Sequence, residues 1–170
     1  MNGQSLQLHT YGGLFLAARL RRLSELLYAG TDEVYAAEDV PVPAAVLPVL
    51  RLLHDHGEPL SIGELARRMG HSHVAISRVT RPLTRAGFVG EANHPRDGRR
   101  VMLILLDKGV ALLERLEPIQ DAIVAAIDGM AGSRPLLRAV RAFEEALEEQ
   151  GFAARVRARK NKRRNRSRAV

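Results

Sequence analysis

Apolar residues recur along most of the chain at intervals of three and four, the spacing that lines one face of an α-helix. From Tyr11 the stripe runs through Leu16, Leu20, Leu23 and Leu27 to Val34. This predicts one helix passing Gly30 and reaching about Ala37, the competing reading being a break at Gly30 with Thr31 as a new cap. A glycine costs a helix only about 1 kcal/mol relative to alanine, which favours continuity. The polar residues 1 to 10 before it are expected to fray. Val40-Pro41-Val42-Pro43 reads as an extended linker, because each residue preceding a proline is pushed out of the helical region. A second helix follows from about Pro43 to His54, with Val46, Leu47, Leu50, Leu52 and Leu53 as core. Pro48 either bends it or marks its true start, and Gly57 stops it.

The next stretch changes rhythm. Ser61-Ile-Gly-Glu64 is a capping box, in which the serine oxygen accepts an N–H three residues on and the glutamate reaches back. It opens a short helix whose apolar face is Ile62, Leu65, Ala66 and Met69 and which Gly70 ends. Ser72 then caps a further helix, about His73 to Ala86, that turns Ile76, Val79, Leu83 and Ala86 inward. Two short apolar runs, Phe88-Val89 and Val101–Leu105, flank a polar, basic segment in which Asp97-Gly98 is a hairpin-turn signal. The pattern returns to helical spacing at Asp107 and holds to Gly129, with Pro118 expected to kink it. After Gly132-Ser-Arg-Pro135 a last amphipathic helix reaches about Glu149, with Leu136, Leu137, Val140, Phe143 and Leu147 on its apolar stripe.

The outward face of the 73–86 helix carries Val74, Arg78, Arg81 and Arg85. Arginines three and four residues apart form a cationic ridge that fits a major groove, where a guanidinium bridges guanine O6 and N7 or clamps phosphates. Ser72, His73 and Ser77 share that surface as weaker donors, and Val74 suits a thymine methyl. The predicted hairpin brings Arg96, Arg99 and Arg100 to its tip, which suits a narrow minor groove. Asp97 is placed to orient the Arg99 guanidinium. A merely soluble arginine-rich helix is the plainer alternative.

With these residues in view, the chain resembles the MarR family of winged helix-turn-helix regulators. The resemblance is carried by GELARRMGHSHVAISRVTRPLTRAGFV, by Asp97-Gly98-Arg99 where the family has D-x-R, and by Leu105-Leu-Asp-Lys-Gly109 where it has an L-T-x-x-G run. It implies a mainly α (α+β) fold: a winged helix-turn-helix at 43–106 with a two-stranded wing, flanked by dimerisation helices at 12–37 and 107–149. It also implies a dimeric transcription regulator, a repressor, on a pseudo-palindromic duplex site. A small, often aromatic or phenolic effector would bind between the dimerisation helices and the winged module and release the DNA. Tyr28, Tyr35 and His54 are the candidates to line that cleft, although each is equally explained by packing. Two departures stand out. Pro82 lies inside the recognition helix, which leaves open whether Arg81 or Arg85 reaches bases, and Leu106 replaces the threonine that would cap the next helix.

Charge sharpens this picture. The chain is +7 overall, yet residues 151–170 hold nine Lys and Arg and no acid, so 1–150 carry 17 basic against 19 acidic residues, about −2. Within the body, residues 67–100 contain eight arginines against Glu91 and Asp97, whereas 107–150 hold five basic and nine acidic residues. Such segregation is the footprint of a phosphate-binding face. The segment AARVRARKNKRRNRSR after residue 152 is low in complexity and strongly cationic, and is expected to be disordered, as either a phosphate-binding arm or a solubilising tail.

Other chemistry is thin. There is no cysteine, hence no disulfide and no thiol redox sensor. His54-x-His56 and His71-x-His73 invite a metal, but the spacing is poor for one, so neither metal nor cofactor is expected. No run reaches the roughly 20 apolar residues of a membrane span, nor does the start of the chain resemble a signal peptide, so a cytoplasmic location is expected. No phosphate loop or nucleophile motif suggests an enzyme. The wide apolar faces of the three flanking helices favour packing against a second copy over a monomeric helical cap. The principal rival function is a nonspecific nucleic-acid-binding or nucleoid-type protein using the basic tail.

Overall fold

The computed structural model describes residues 12–94 and 97–168. Helix α1 (Leu16–Ala37) follows a 3-10 turn and passes Gly30 without a break, as the Leu20-to-Val34 stripe predicts. Its C-terminal end is tied down. The Asp32 carboxylate accepts the Ala44 N–H at 2.7 Å, and the Arg115 guanidinium donates to the Glu38 carbonyl. Helix α2 (Leu47–His56) starts after a 3-10 turn at Ala44–Val46, so Pro48 marks a helix start and no bend is needed. A proline in the first turn lacks only an N–H that would have had no partner there. Gly57 takes φ +72° and ends the helix, as expected.

Strand β1 (Leu60–Ser61) was not legible in the sequence, since two residues carry no periodicity. It pairs antiparallel with β3 (Asp97–Leu105), which also pairs with β2 (Val89–His94). The two-stranded wing, β2-β3, thus belongs to a three-stranded sheet ordered β1-β3-β2. A lone hairpin is marginal in water, and the third strand anchors β3 beside helix α3 (Ile62–Arg68). Register also corrects the turn. His94 lies opposite Asp97 while Asn93 lies opposite Val101, so Asp97-Gly98 belongs to β3 at an irregularity in the ladder. Glycine in a strand interior commonly marks such a bulge.

Helix α4 (His73–Arg85) packs through Ile76, Thr80 and Leu83, all buried. Thr80 is in the core, whereas Ala86, expected there, is exposed and Val79 is half-buried. The threonine hydroxyl faces the Ser77 carbonyl at 3.5 Å. The same core holds Tyr35, Leu50, Leu65, Val89, Leu103, Leu113 and Leu116, each at most 2% exposed.

Helix α5 (Asp107–Asp128) carries Pro118, and the chain divides into two packed units there, up to Pro118 and from Ile119. Gly109, near the start of α5, faces the sheet. A Cβ at this position would stand 2.5 Å from the Phe88 carbonyl oxygen and 2.5 Å from Leu105 Cδ1. The Leu105–Gly109 run is thus explained by close approach of backbone to backbone.

The second unit holds the end of α5, helix α6 (Ser133–Glu149) and helix α7 (Phe152–Arg168). Disorder was expected for residues 151–170; instead, 152–168 are helical. Alanine, arginine and lysine are strong helix formers, and after Gly151 no glycine or proline interrupts them. The Arg155 guanidinium also supplies the start of α7 with a tether, donating to the carbonyls of Ala146 and Gln150. Local propensity and this contact outweigh the like-charge repulsion on which the disorder expectation rested.

The Gly109 contact yields a prediction. Gly109→Ala forces either the Phe88 carbonyl or Leu105 to move, and should lower stability by about 1–3 kcal/mol. Urea unfolding of the two proteins measures it, and an unchanged midpoint would show that the sheet yields freely.

Candidate nucleic-acid interface

Helices α3 and α4 are built by their ends. Ser61 Oγ accepts the Glu64 N–H at 3.2 Å while Glu64 returns a bond to the Ser61 N–H at 2.8 Å, so the capping box is closed in both directions. Gly70 at φ +64° ends the turn after α3, with the His71 N–H on the Ala66 carbonyl at 2.9 Å. Ser72 then caps α4 by accepting from the Ala75 N–H at 3.2 Å. At the other end Lys108 Nζ donates to the Ala86 carbonyl at 2.7 Å and sits 4.5 Å from the centre of the Phe88 ring. A cation on the last carbonyls of a helix is favoured by its dipole. The first end of α4 is thereby closed by its own cap, and the second is tied to α5.

At about 100° per residue, Ile76, Thr80 and Leu83 occupy one arc of α4, and Val74, Arg78, Arg81 and Arg85 fall within about 60° of one another on the opposite side. The structure matches this division. Val74 is 69% exposed, and Arg78, Arg81 and Arg85 are exposed as well, as are Ser72 and His73, with Ser77 half-buried. Between Val74 and Arg85 the ridge runs about 16 Å along the axis. A cleft of about 370 Å³ beside the start of α4 is lined by Ser61, Ile62, Gly63, Glu64, Arg67, His73 and Val101. It brings the N-terminus of α3, His73 and strand β3 onto one surface. Arg67 is an exposed cation of that surface that the helix-by-helix reading overlooked. Its only signal was its share in the arginine surplus of residues 67–100.

Of the wing residues, Arg96 lies outside the described residues. Asp97, Arg99 and Arg100 are placed by backbone at the start of β3.

Residues 40–100 match the model of the MarR family. Over that segment the chain is similar to the MarR family, and its fold is that of a winged helix. Among solved structures, it superposes on Bordetella bronchiseptica BpsR, whose DNA binding is regulated by 6-hydroxynicotinic acid, with a TM-score of 0.65. That match has 22% identity and covers 76% of this chain and 92% of that one. The Staphylococcus aureus MepR–DNA complex gives a TM-score of 0.65 at 17% identity, over 79% of this chain and 97% of that one. A MarR-family transcriptional regulator from Silicibacter pomeroyi gives 0.60 at 23% identity, over 80% and 89%. At these identities the likeness establishes the fold. No curated protein sequence matches the chain. The matched family and these structures are of transcription regulators, not enzymes.

The three effector candidates do not share one environment. Tyr35 is buried in the first unit at 1% exposure, and desolvation, followed by the Asp32 carboxylate, pushes its hydroxyl pKa upward, so it stays protonated. Tyr28, two helical turns earlier on α1, is exposed. His54 lies at the exposed end of α2 with Nδ1 3.0 Å from Asp55. The cleft beside His73 is lined by other residues. Nor do the histidines assemble a metal site. His56 has Nδ1 on the Glu58 carbonyl at 3.2 Å and Nε2 3.2 Å from Arg68, and no three potential ligands converge among the described residues.

The caps make a testable statement about α4. Ser72→Ala removes the acceptor for the Ala75 N–H and should cost about 1 kcal/mol. Faster amide hydrogen exchange at residues 73–76 than in the parent checks that the loss is local to the start of α4.

Proposed function

We propose that the chain is a sequence-specific, duplex-DNA-binding transcription repressor acting as a homodimer, released by a small aromatic effector. The observation that carries the DNA reading is α4 itself. One stripe is pinned in the core and the opposite stripe offers Val74, Arg78, Arg81 and Arg85 to solvent, with both helix ends held. A fixed helix with outward arginines is what direct readout in a major groove requires, since base edges discriminate only when the side chain's origin is set. In this reading α4 enters the major groove, the start of β3 carries Arg99 and Arg100 to the adjacent minor groove, and Ser72, His73 and Ser77 contact the backbone.

Support for a dimer comes from surface left uncovered within one chain. On α1, Leu20, Leu23, Leu26, Leu27 and Val34 are exposed; on α6, so are Leu136, Leu137, Val140, Phe143 and Leu147. Apolar faces of that extent on amphipathic helices are the kind that a second copy buries. Two copies of α4 related by a two-fold axis would read a pseudo-palindrome. The effector rests on less: the regulation of BpsR by 6-hydroxynicotinic acid and the tyrosines of α1.

Arg78→Ala should weaken binding to a selected duplex by about 1–3 kcal/mol and relax preference at one position in each half-site. Sedimentation of the parent at micromolar concentration should give twice the chain mass. Equal weakening on selected and random duplexes would reduce α4 to a phosphate anchor, and a monomer would remove the palindrome.

A further inference from the structure

Helix α7 has no place in the winged-helix account. Nine of its residues are Lys or Arg and none is acidic. Arg155 is engaged with the carbonyls of Ala146 and Gln150, and so serves the fold. Among the described residues, Arg157, Arg159, Lys160, Lys162 and Arg164 are exposed and have no acidic partner. Apolar side chains stop at Ala158; from Arg159 to Arg168 there is none.

We propose that α7 is a second DNA-binding helix, one that lies in the major groove of duplex DNA and holds it through phosphates without reading sequence. This rests on the reading of the chain as a duplex-DNA-binding protein. Three features select that partner. At about 100° per residue, Arg157, Arg159, Lys160, Lys162 and Arg164 spread over about 220° of the helix circumference, more than one side. A flat anionic surface would use one side of such a helix, whereas a groove has a phosphate wall on either side. A membrane surface also requires an apolar face, which α7 lacks beyond its first turns. Duplex RNA is disfavoured because its A-form major groove is deep and narrow, while that of B-DNA admits an α-helix. With about 25 Å of length, α7 would follow roughly seven base pairs at their 3.4 Å spacing.

The test uses the full chain and the variant Arg157→Gln, Arg159→Gln, Lys160→Gln, Lys162→Gln, Arg164→Gln, which leaves Arg155 in place and keeps good helix formers. Circular dichroism confirms that the helix content is retained. Binding to a random-sequence DNA duplex is followed by fluorescence anisotropy as salt rises. Each lost phosphate contact flattens the dependence of log K on log salt by about 0.9, so the variant's slope should be shallower by about 2–4 per chain. Between about 50 and about 200 mM salt, parent affinity should therefore fall about 16- to 250-fold more than that of the variant. An unchanged slope overturns the proposal, as does a loss confined to duplex RNA or to phosphatidylserine vesicles. The regulator reading is checked separately by selection of duplexes from a random pool. If the parent selects a sequence and the slope is unchanged, α7 alone has been misread; if the slope flattens and no sequence is selected, the α7 contact stands and the regulator reading fails.

Discussion

The winged module depends on the burial of one stripe of α4. Ile76, Thr80 and Leu83 leave the helix no freedom to roll about its axis, and that constraint turns the exposure of Arg78, Arg81 and Arg85 into a directed surface. Rotation by one residue, about 100°, would bury an arginine and expose a core position, so the apolar stripe and the cationic ridge specify each other. The ends enforce the remaining coordinates. Ser72 sets where the first turn begins, and Lys108 reaches from α5 to hold the last carbonyls. Gly109, one residue on, lets α5 come close enough for that reach, because any side chain there would collide with Phe88 and Leu105. Helix position, helix phase and the joint to α5 are thus one packing problem.

How much of this the sequence disclosed follows the physics of each signal. Capping boxes, terminal glycines and 3.6-residue stripes are local, and Ser61, Glu64, Gly70, Ser72 and Gly57 all act as their patterns indicate. The arginine ridge was legible for the same reason, since helical phase follows from spacing alone. What escaped is non-local. Strand β1 is two residues long and exists only because β3 lies beside it. Asp97-Gly98 carries a turn signal that ladder register overrides, as pairing of His94 with Asp97 places it within β3. Thr80 is buried although polar, with its hydroxyl 3.5 Å from the Ser77 carbonyl on its own helix, an arrangement that hydropathy patterning does not register. Lys108 looked like one more surface cation until the fold brought it to Ala86.

Charge gave two opposite lessons. Its placement along the chain separated an arginine-rich module from a slightly acidic body, which no total would show. Its density after residue 152 suggested disorder, whereas alanine and long basic side chains retain high helix propensity and Arg155 ties the first turn to the end of α6. Low hydrophobicity prevents a segment from making a core; it does not prevent a helix.

Pro82 is the position at which these constraints meet. It has no N–H to give the Arg78 carbonyl, a loss that costs a helix interior about 3 kcal/mol. The helix nevertheless runs on to Arg85, with the Ala86 N–H on the Pro82 carbonyl at 3.0 Å and the Thr84 hydroxyl on the Thr80 carbonyl at 3.2 Å. Its final turn is held in addition by buried Leu83 and by Lys108, so tertiary contacts replace part of the missing continuity. Arg78 therefore belongs to the segment placed by the Ser72 cap, and Arg85 to the segment placed by the body beneath it. Base readout demands the tighter positioning and phosphate contact the looser, because a phosphate oxygen accepts from many directions. In the proposed DNA-binding reading, the two ends of α4 would divide these tasks, Arg78 toward base edges and Arg85 toward the backbone.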